Sequence, residues 1–265
     1  MKPKTILSSL GYLAIASILF TSCYPGTIVN DPYIVDQDRQ KENQYYVQAA
    51  PNVPLLTKKN DLSITGMSSS GSKSSGGEVQ AAYMPAKHVG IIGGYSFAKN
   101  SYYAKYNRFE LGSGYVTALS KAWHFETYAG AGSGKISNTH YTGTSVVNLT
   151  HFFIQPAIAV SNTKQTVQFA FVSRFEGVNF KVNDASFSAD REPYNASAVK
   201  SLNDQPFHIM WQPGIMFRFG WQKFLFQTGY SISTDLTNSE VINTKSIFSL
   251  GMLFRFNTSK KDPVK

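Results

Sequence analysis

The final apolar stretch of the chain, residues 246–257, alternates large apolar side chains with small or charged ones. Successive side chains of an extended strand point to opposite faces, so one face of this stretch is apolar and the other is mostly small or charged. This distribution is typical of a strand whose outer face meets lipid and whose inner face lines a barrel. The apolar face is formed by Phe248, Leu250, Met252, Phe254 and Phe256, and the opposite face includes Ser249, Gly251 and Arg255, with Ile247 and Leu253 as apolar exceptions.

Similar runs recur from Asp61 onward, and the breaks between them alternate in length. Short breaks fall near residues 85–87, 120–122, 162–164 and 220–223, and long ones near 68–76, 99–105, 135–145, 179–206 and 234–245. Outer-membrane barrels have short periplasmic turns and long outer loops. The sequence therefore predicts an all-β fold, an antiparallel up-and-down transmembrane β-barrel of about ten strands, with eight as the alternative. The predicted strands span residues 61–67, 77–84, 88–98, 106–118, 123–134, 146–160, 166–178, 207–219, 224–233 and 246–257.

Charged residues indicate which face of each strand points inward. A lysine or arginine on the lipid face at the bilayer midplane costs about 2–4 kcal/mol, whereas a position in the lumen tolerates it. We interpret the inward charges as a salt-bridge network that fills a narrow lumen, because buried charges must be paired. A catalytic or ion-conducting arrangement is the less favoured interpretation. The predicted lumen network consists of Arg108, Glu110, His124, Glu126, Arg174, Glu176, Arg218 and Arg255, and we expect Arg255 to lie near a carboxylate.

Two details bear on the facing. Only the sixth run blurs the alternation, because Phe152, Phe153 and Ile154 are consecutive. Trp123 and Trp221 lie at predicted short turns, and Tyr102, Tyr103 and Tyr106 lie by a predicted long loop, as the two aromatic girdles of a membrane barrel would.

The N-terminus has the layout of a secretory signal peptide. Lys2 and Lys4 precede an apolar stretch over residues 6–20. The following residues 19–23, ending in Cys23, resemble the lipobox of bacterial lipoproteins, although Phe20 stands where leucine is commonest. That resemblance implies that Cys23 is diacylated through its sulfur and becomes the mature N-terminus. The alternative is an ordinary signal peptide followed by an incidental cysteine.

The remaining segments complete the domain organisation. Residues 1–22 form the signal peptide, residues 23–60 a flexible lipidated tether, residues 61–257 the barrel and residues 258–265 a C-terminal tail. Prolines break up the tether, and residues 36–43 within it are polar and charge-mixed.

Composition excludes several kinds of chemistry. The chain has a formal net charge of +9, which does not name a partner by itself, and its single cysteine cannot form an intrachain disulfide. The glycine-rich residues 130–134 lack the lysine and the following helix of a phosphate-binding loop. The five histidines show no metal-ligand spacing. We therefore expect no cofactor, no bound metal and no nucleic-acid partner.

Together, the residues around Cys23 and the strand pattern over 61–257 resemble small lipidated outer-membrane β-barrel proteins of Gram-negative bacteria. The resemblance implies a location in the cell outer membrane, with an acyl anchor in membrane lipid and both termini in the periplasm. It also implies handling by the barrel-assembly and lipoprotein-sorting machinery. The resemblance names no ligand.

The expected function is a noncatalytic envelope or surface role, with long loops, chiefly 179–206, that bind a partner or stabilise the envelope. Three alternatives stay open. A protease or lipid-modifying barrel enzyme would need acids and a histidine at the outer rim, for which the candidates are Asp184, Asp190, Asp235 and His140. A narrow channel would need an open lumen. A soluble periplasmic binder of the lipocalin type would have its apolar residues inside.

Overall fold

The computed structural model describes residues 45–71, 74–100, 104–140, 143–187, 193–237 and 246–257. The predicted signal peptide, Cys23, the first part of the tether and the C-terminal tail therefore lie outside the described residues. No helix in the described ranges is long and apolar enough to cross a bilayer.

The chain forms one antiparallel sheet that closes on itself. The strands follow one another in the order β10-β8-β7-β6-β5-β4-β3-β2-β1-β11-β9, and an additional pairing between β8 and β9 completes the ring. Ten strands make the barrel, and β10 is a two-residue addition at its rim. The elements are β1 (Asp61–Gly71), β2 (Ser74–Ala86), β3 (Val89–Asn100), β4 (Ala104–Ala118), β5 (Trp123–His140), β6 (Gly143–Ser161), β7 (Val167–Phe187), α1 (Pro193–Asp204), β8 (Phe207–Trp221), β9 (Phe224–Ile232), β10 (Thr234–Asp235) and β11 (Ser246–Asn257).

Register sets the tilt of the strands. Following the paired residues once around the barrel from Phe219 of β8 leads back to Phe207 of the same strand, a displacement of 12 residues. Such a stagger requires strands tilted by about 35–45° to the barrel axis. The bore of a ten-stranded barrel is then wider than a fully side-chain-filled eight-stranded one.

The outer surface is apolar, and the buried charged side chains of the strands point inward, as predicted. In β6 the three consecutive apolar residues alternate after all, because Phe152 is 59% exposed, Phe153 3% and Ile154 50%. On β11, Phe254 and Phe256 face outward, whereas Ile247 and Leu253 are buried. An apolar exterior around a polar interior is the distribution of a barrel that spans a membrane, so the lipocalin-type alternative is wrong.

Lysines border this apolar surface at both ends. Exposed lysines lie in or beside the four short connections, at Lys87, Lys121, Lys164 and Lys223, and the exposed Lys58 lies just before β1 at the same end. We call the end of the barrel with the short connections the short-turn end. The opposite end, which carries α1, is the long-loop end. Near the long-loop end, the outward residues of β3 to β7 include Lys99, Lys105, Lys135 and Lys181, all exposed.

Two predictions about the long-loop end were wrong. Strands occupy much of what was predicted as loop, since β5 continues to His140 and β7 to Phe187, and α1 lies within the predicted loop 179–206. Tyr106, assigned from sequence to an outer aromatic girdle, is buried inside the barrel. Its even position on β4 gives it the same inward facing as Arg108, which should have decided the assignment.

The second part of the predicted tether is not flexible. Residues 45–56 are buried, and their hydrogen bonds lead to inward side chains of the strands. We call residues 45–56 the threaded segment, because they run through the bore. A flexible tether over all of 23–60 was therefore a wrong prediction for these residues, which carry enough apolar and amide surface to be buried.

We predict that Leu111→Arg lowers the free energy of unfolding by about 2–4 kcal/mol, because it places a cation on the lipid face. Leu111 is 55% exposed and lies at the centre of β4, seven residues from either end. Urea unfolding of the protein refolded in lipid vesicles measures the change. The control is Thr139→Arg, at an exposed position one residue from the long-loop end of β5, where we expect a change within about 0.5 kcal/mol. Equal effects at the two sites would contradict a lipid-facing belt.

Candidate functional site

Four of the predicted inward charges meet in the bore as an Arg–Glu quartet of Arg108, Glu110, Arg174 and Glu176. Arg108 Nη2 lies 2.7 Å from Glu110 Oε2, and its Nη1 lies 2.9 Å from Glu176 Oε1. Arg174 Nη2 lies 2.7 Å from Glu110 Oε2, and its Nε lies 3.1 Å from Glu176 Oε2. Each guanidinium thus binds both carboxylates, and the two positive charges are balanced by two negative ones.

The quartet ties together strands that do not pair. Arg108 and Glu110 belong to β4, whereas Arg174 and Glu176 belong to β7, and β5 and β6 lie between them in the sheet. Because the ion pairs cross part of the bore, they fix its shape as well as its charge. Charges buried this completely persist only when paired and hydrogen-bonded.

Glycines on β5 make room for rings beneath the quartet. A Cβ on Gly132 would lie 2.5 Å from the His151 ring, and one on Gly130 would lie 2.7 Å from the Phe153 ring. Phe153 in turn lies under the Arg174 guanidinium, whose Cζ is 3.9 Å from the ring centroid. The glycine-rich stretch therefore has a packing role, since it leaves space for aromatic side chains of β6.

Residues 52–56 of the threaded segment are held near the short-turn end. The Leu56 amide N donates to Glu126 Oε1 at 3.1 Å, three residues into β5 from that end. The Val53 carbonyl O accepts from Arg218 Nη1 at 2.6 Å, three residues into β8 from the same end. Arg218 also donates to Asn52 Oδ1 at 2.6 Å. A buried cation and a buried carboxylate of the wall thus find partners on the segment.

Residues 46–50 of the threaded segment have their partners further from the short-turn end. The Ala50 amide N donates to Glu78 Oε2 at 3.1 Å, eight residues into β2 from that end. The Tyr46 hydroxyl accepts from Gln212 Nε2, nine residues into β8, and Gln212 also reaches the quartet at Glu176. The segment therefore runs along the bore, with Leu56 towards the short-turn end and Tyr45 towards the long-loop end.

An apolar cluster closes the bore around the upper end of the segment. Tyr45 is 0% exposed, and it shares this cluster with inward residues near the long-loop ends of the strands and with one face of α1. The helix therefore packs onto the barrel through apolar side chains. The cluster comprises Tyr45, Tyr46, Val47, Ala98, Tyr106, Ile136, Val147, Leu149, Val178, Phe180, Ala198, Val199, Leu202 and Met210.

The other predicted network residues lie apart from the quartet. His124 contacts Ser161 Oγ at 3.0 Å near the short-turn end. Arg255 donates to Gln165 Oε1 at 2.8 Å, and the carboxylates of Asp61 and Glu126 lie close enough to interact with its charge, as expected. The eight residues predicted as one network are thus divided into the quartet, the partners of the threaded segment, and these two at the short-turn end.

At the long-loop rim, His208 contacts Asp235. His208 Nδ1 lies 3.0 Å from Asp235 Oδ2, and its Nε2 lies 3.0 Å from the Gln205 carbonyl O. A general base needs a ring nitrogen directed at substrate, whereas both nitrogens here have partners on the protein. The pair therefore fastens the end of α1 and β10 to β8.

The enzyme candidates are not assembled into a site within the described residues. Asp184 is exposed on β7, Asp190 lies outside the described residues, and the side chain of His140 is likewise not described. No three His, Cys, Asp or Glu side chains in the described ranges are placed to hold a metal ion.

Sequence reasoning missed the threaded segment and its partners. Glu78, Gln80, Gln155 and Gln227 line the bore with the same inward alternation as the charged residues, and each bonds the segment. The signal in the sequence was residues 44–57, which carry no charge between two charged stretches. Such a stretch is unusual for a solvated linker, because solvated linkers favour charged residues.

No protein-family model and no curated protein match the chain. Solved barrel structures do. The N-terminal β-barrel domain of Pseudomonas aeruginosa OprF is 11% identical, covering 75% of this chain and 98% of that one, with a TM-score of 0.38. The translocator domain of the autotransporter NalP from Neisseria meningitidis is 10% identical, covering 76% and 90%, with a TM-score of 0.41. Ail, the attachment invasion locus protein of Yersinia pestis, is 11% identical, covering 75% and 100%, with a TM-score of 0.30.

We predict that Arg108→Met destabilises the protein by about 3–5 kcal/mol, because it leaves two buried carboxylates facing one arginine. The double variant Arg108→Met/Glu176→Gln restores charge balance and should cost less than the sum of its single changes. A double-mutant cycle from urea unfolding measures the coupling. Lys105→Met, an exposed position on the same strand, is the control with an expected change within about 0.5 kcal/mol. Additive costs would contradict a coupled quartet.

We further predict that replacing residues 45–56 by a Gly/Ser sequence of the same length opens the bore. The replacement removes the apolar side chains and the partner of Arg218, so water enters the lumen. Planar-bilayer recordings should show conductance steps that the unaltered chain lacks. The matched control replaces residues 24–35 instead, and heat-modifiable gel mobility checks folding of both. A folded 45–56 variant that shows no conductance steps would show that the segment is not what closes the bore.

Proposed function

We propose that this chain is a closed, noncatalytic outer-membrane barrel lipoprotein, lipidated at Cys23, with an envelope or surface role exerted from its long-loop end. The observation that carries the proposal is the bore, which holds the Arg–Glu quartet and the threaded segment in place of an aqueous path. A barrel built this way serves as a rigid membrane platform. The surface left for recognition is the long-loop rim around α1.

The exterior supports a membrane location. The apolar belt is bordered by lysines at both ends, and Trp123 and Trp221 are exposed at the short-turn end, where an interfacial girdle belongs. An N-terminal export signal followed by a lipobox-like sequence supports delivery through the periplasm. A chain with this route and this exterior inserts in the outer membrane of a Gram-negative cell, with short turns in the periplasm.

The rim supports a binding role more than a catalytic one. Among the described side chains near this rim, His208 has both ring nitrogens engaged by partners on the protein. The strands β5, β6 and β7 are the longest of the barrel, at 18, 19 and 21 residues. Because they extend past the lysine border, they hold a stiff projection above the membrane beside α1. A stiff projection with a docked helix suits recognition of a partner outside the cell.

We expect the lipid to be an auxiliary anchor. Fatty-acid labelling of cells should mark the unaltered chain and not Cys23→Ala, since Cys23 is the single cysteine. The Cys23→Ala protein should still fractionate with outer membranes and keep heat-modifiable gel mobility, because the barrel spans the bilayer by itself. Phe20→Leu, which brings the sequence closer to the lipobox, is the positive control. Recovery of Cys23→Ala as a detergent-free soluble protein would overturn the proposal, and labelling that persists in it would overturn the assignment of the lipid.

A further inference from the structure

We propose that the mature N-terminus leaves the barrel through its long-loop end, so that residues 23–44 and the lipid on Cys23 lie on the outer face of the cell. This inference rests on the proposed function for the existence of the lipid and for the orientation of the barrel. It reverses the sequence-based expectation that both termini are periplasmic. Of the two termini, only the C-terminus would then lie in the periplasm.

The direction of the threaded segment carries the inference. Leu56 bonds Glu126 near the short-turn end, and from there the chain turns into β1 at Asp61. Tyr45 lies instead in the apolar cluster with α1. Between them, Val53 bonds Arg218 three residues from the short-turn end, Ala50 bonds Glu78 eight residues from it, and Tyr46 bonds Gln212 nine residues from it. The chain before Tyr45 therefore continues from the long-loop end, whereas Asn257, paired with Asp61, is at the short-turn end.

The contacts show that the path is built for this chain. Three wall residues with formal charge, Glu78, Glu126 and Arg218, are buried and bond atoms of the segment. Gln155 and Gln227 donate to the carbonyl oxygens of Asn52 and Pro51 at 2.9 and 3.3 Å. Without the segment, these polar groups would face an empty lumen. The wall is thus chemically matched to a peptide backbone.

A return to the periplasm is blocked on both routes. The bore already contains the segment and the quartet. Outside the barrel, a bare backbone cannot cross hydrocarbon, because its amide groups find no partners there. Residues 36–43 would also carry Asp36, Asp38, Arg39, Lys41 and Glu42 into the bilayer. The 22 residues from Cys23 to Gln44 are long enough to reach the outer leaflet from the rim, at up to about 3.3–3.6 Å per residue.

The partner of the N-terminus is accordingly the outer leaflet. The acyl chains would enter that leaflet from the outer side of the membrane. This arrangement fixes the one point that the lipobox resemblance leaves open, which is the leaflet that holds the lipid. The anchor then lies on the same side of the membrane as α1.

Epitope accessibility in intact cells tests the inference. Three full-length chains each carry one tag: between Gly26 and Thr27, between Ala189 and Asp190, or after Lys265. We expect antibody to reach the first two tags on intact cells and the third only after permeabilisation. An accessible tag at 189–190 with a protected tag at 26–27 overturns the inference and leaves the proposed function standing. A protected tag at 189–190 with an accessible C-terminal tag overturns the proposed orientation itself.

A second measurement separates threading from lipidation. In a Cys23→Ala chain, which has no other cysteine, Gln44→Cys should react with a membrane-impermeant maleimide on intact cells, and Thr258→Cys should not. Only chains that show heat-modifiable mobility are scored, so misfolded protein does not contribute. Labelling at residue 44 without a lipid shows that the path through the bore places the N-terminus outside. Labelling at residue 258 alone overturns the inference.

Discussion

Pairing of buried charge in the bore is the constraint on which this structure depends. Arg108 and Arg174 each bind Glu110 and Glu176, so four charges on two non-adjacent strands are neutralised in one place. Below them, Arg218 has no carboxylate among its hydrogen-bond acceptors in the described structure and binds oxygens of Asn52, Val53 and Gln227 instead. The quartet is self-sufficient, whereas this part of the wall is completed only by the threaded segment.

The two fillings of the bore explain how the interior of a ten-stranded barrel is packed. A wall of this circumference leaves more room than inward side chains occupy, and protein interiors do not tolerate such voids. The threaded segment takes up the space along the axis, and the glycines of β5 let His151 and Phe153 lie flat against the wall. The inward side chains and the threaded segment are therefore packed against one another.

Alternation along single strands was enough to predict the facing of most of the wall. The ten strands and the outward Phe254 and Phe256 followed from it, because each depends only on neighbours two residues apart. Tyr106 was misassigned when its proximity to a loop was given more weight than its position on β4. The threaded segment was not predicted, because its contacts are with residues up to 183 positions away in the sequence, as in Gln48 with Ser231. Alternation along a strand indicates which side chains face the bore, but it does not indicate what the bore contains.

The place of the threaded segment in the chain has a consequence for assembly. It precedes β1, yet it ends up surrounded by all ten strands, and the ring is completed where β1 meets β11, the first and last strands. The wall must therefore be wrapped around a segment that is already lying in position, since a finished cylinder offers it only two narrow mouths. Once β11 pairs with β1, the closed barrel encloses the threaded segment of the same chain. Withdrawal of the segment along the axis would then break its polar contacts with β2, β5, β6, β8 and β9.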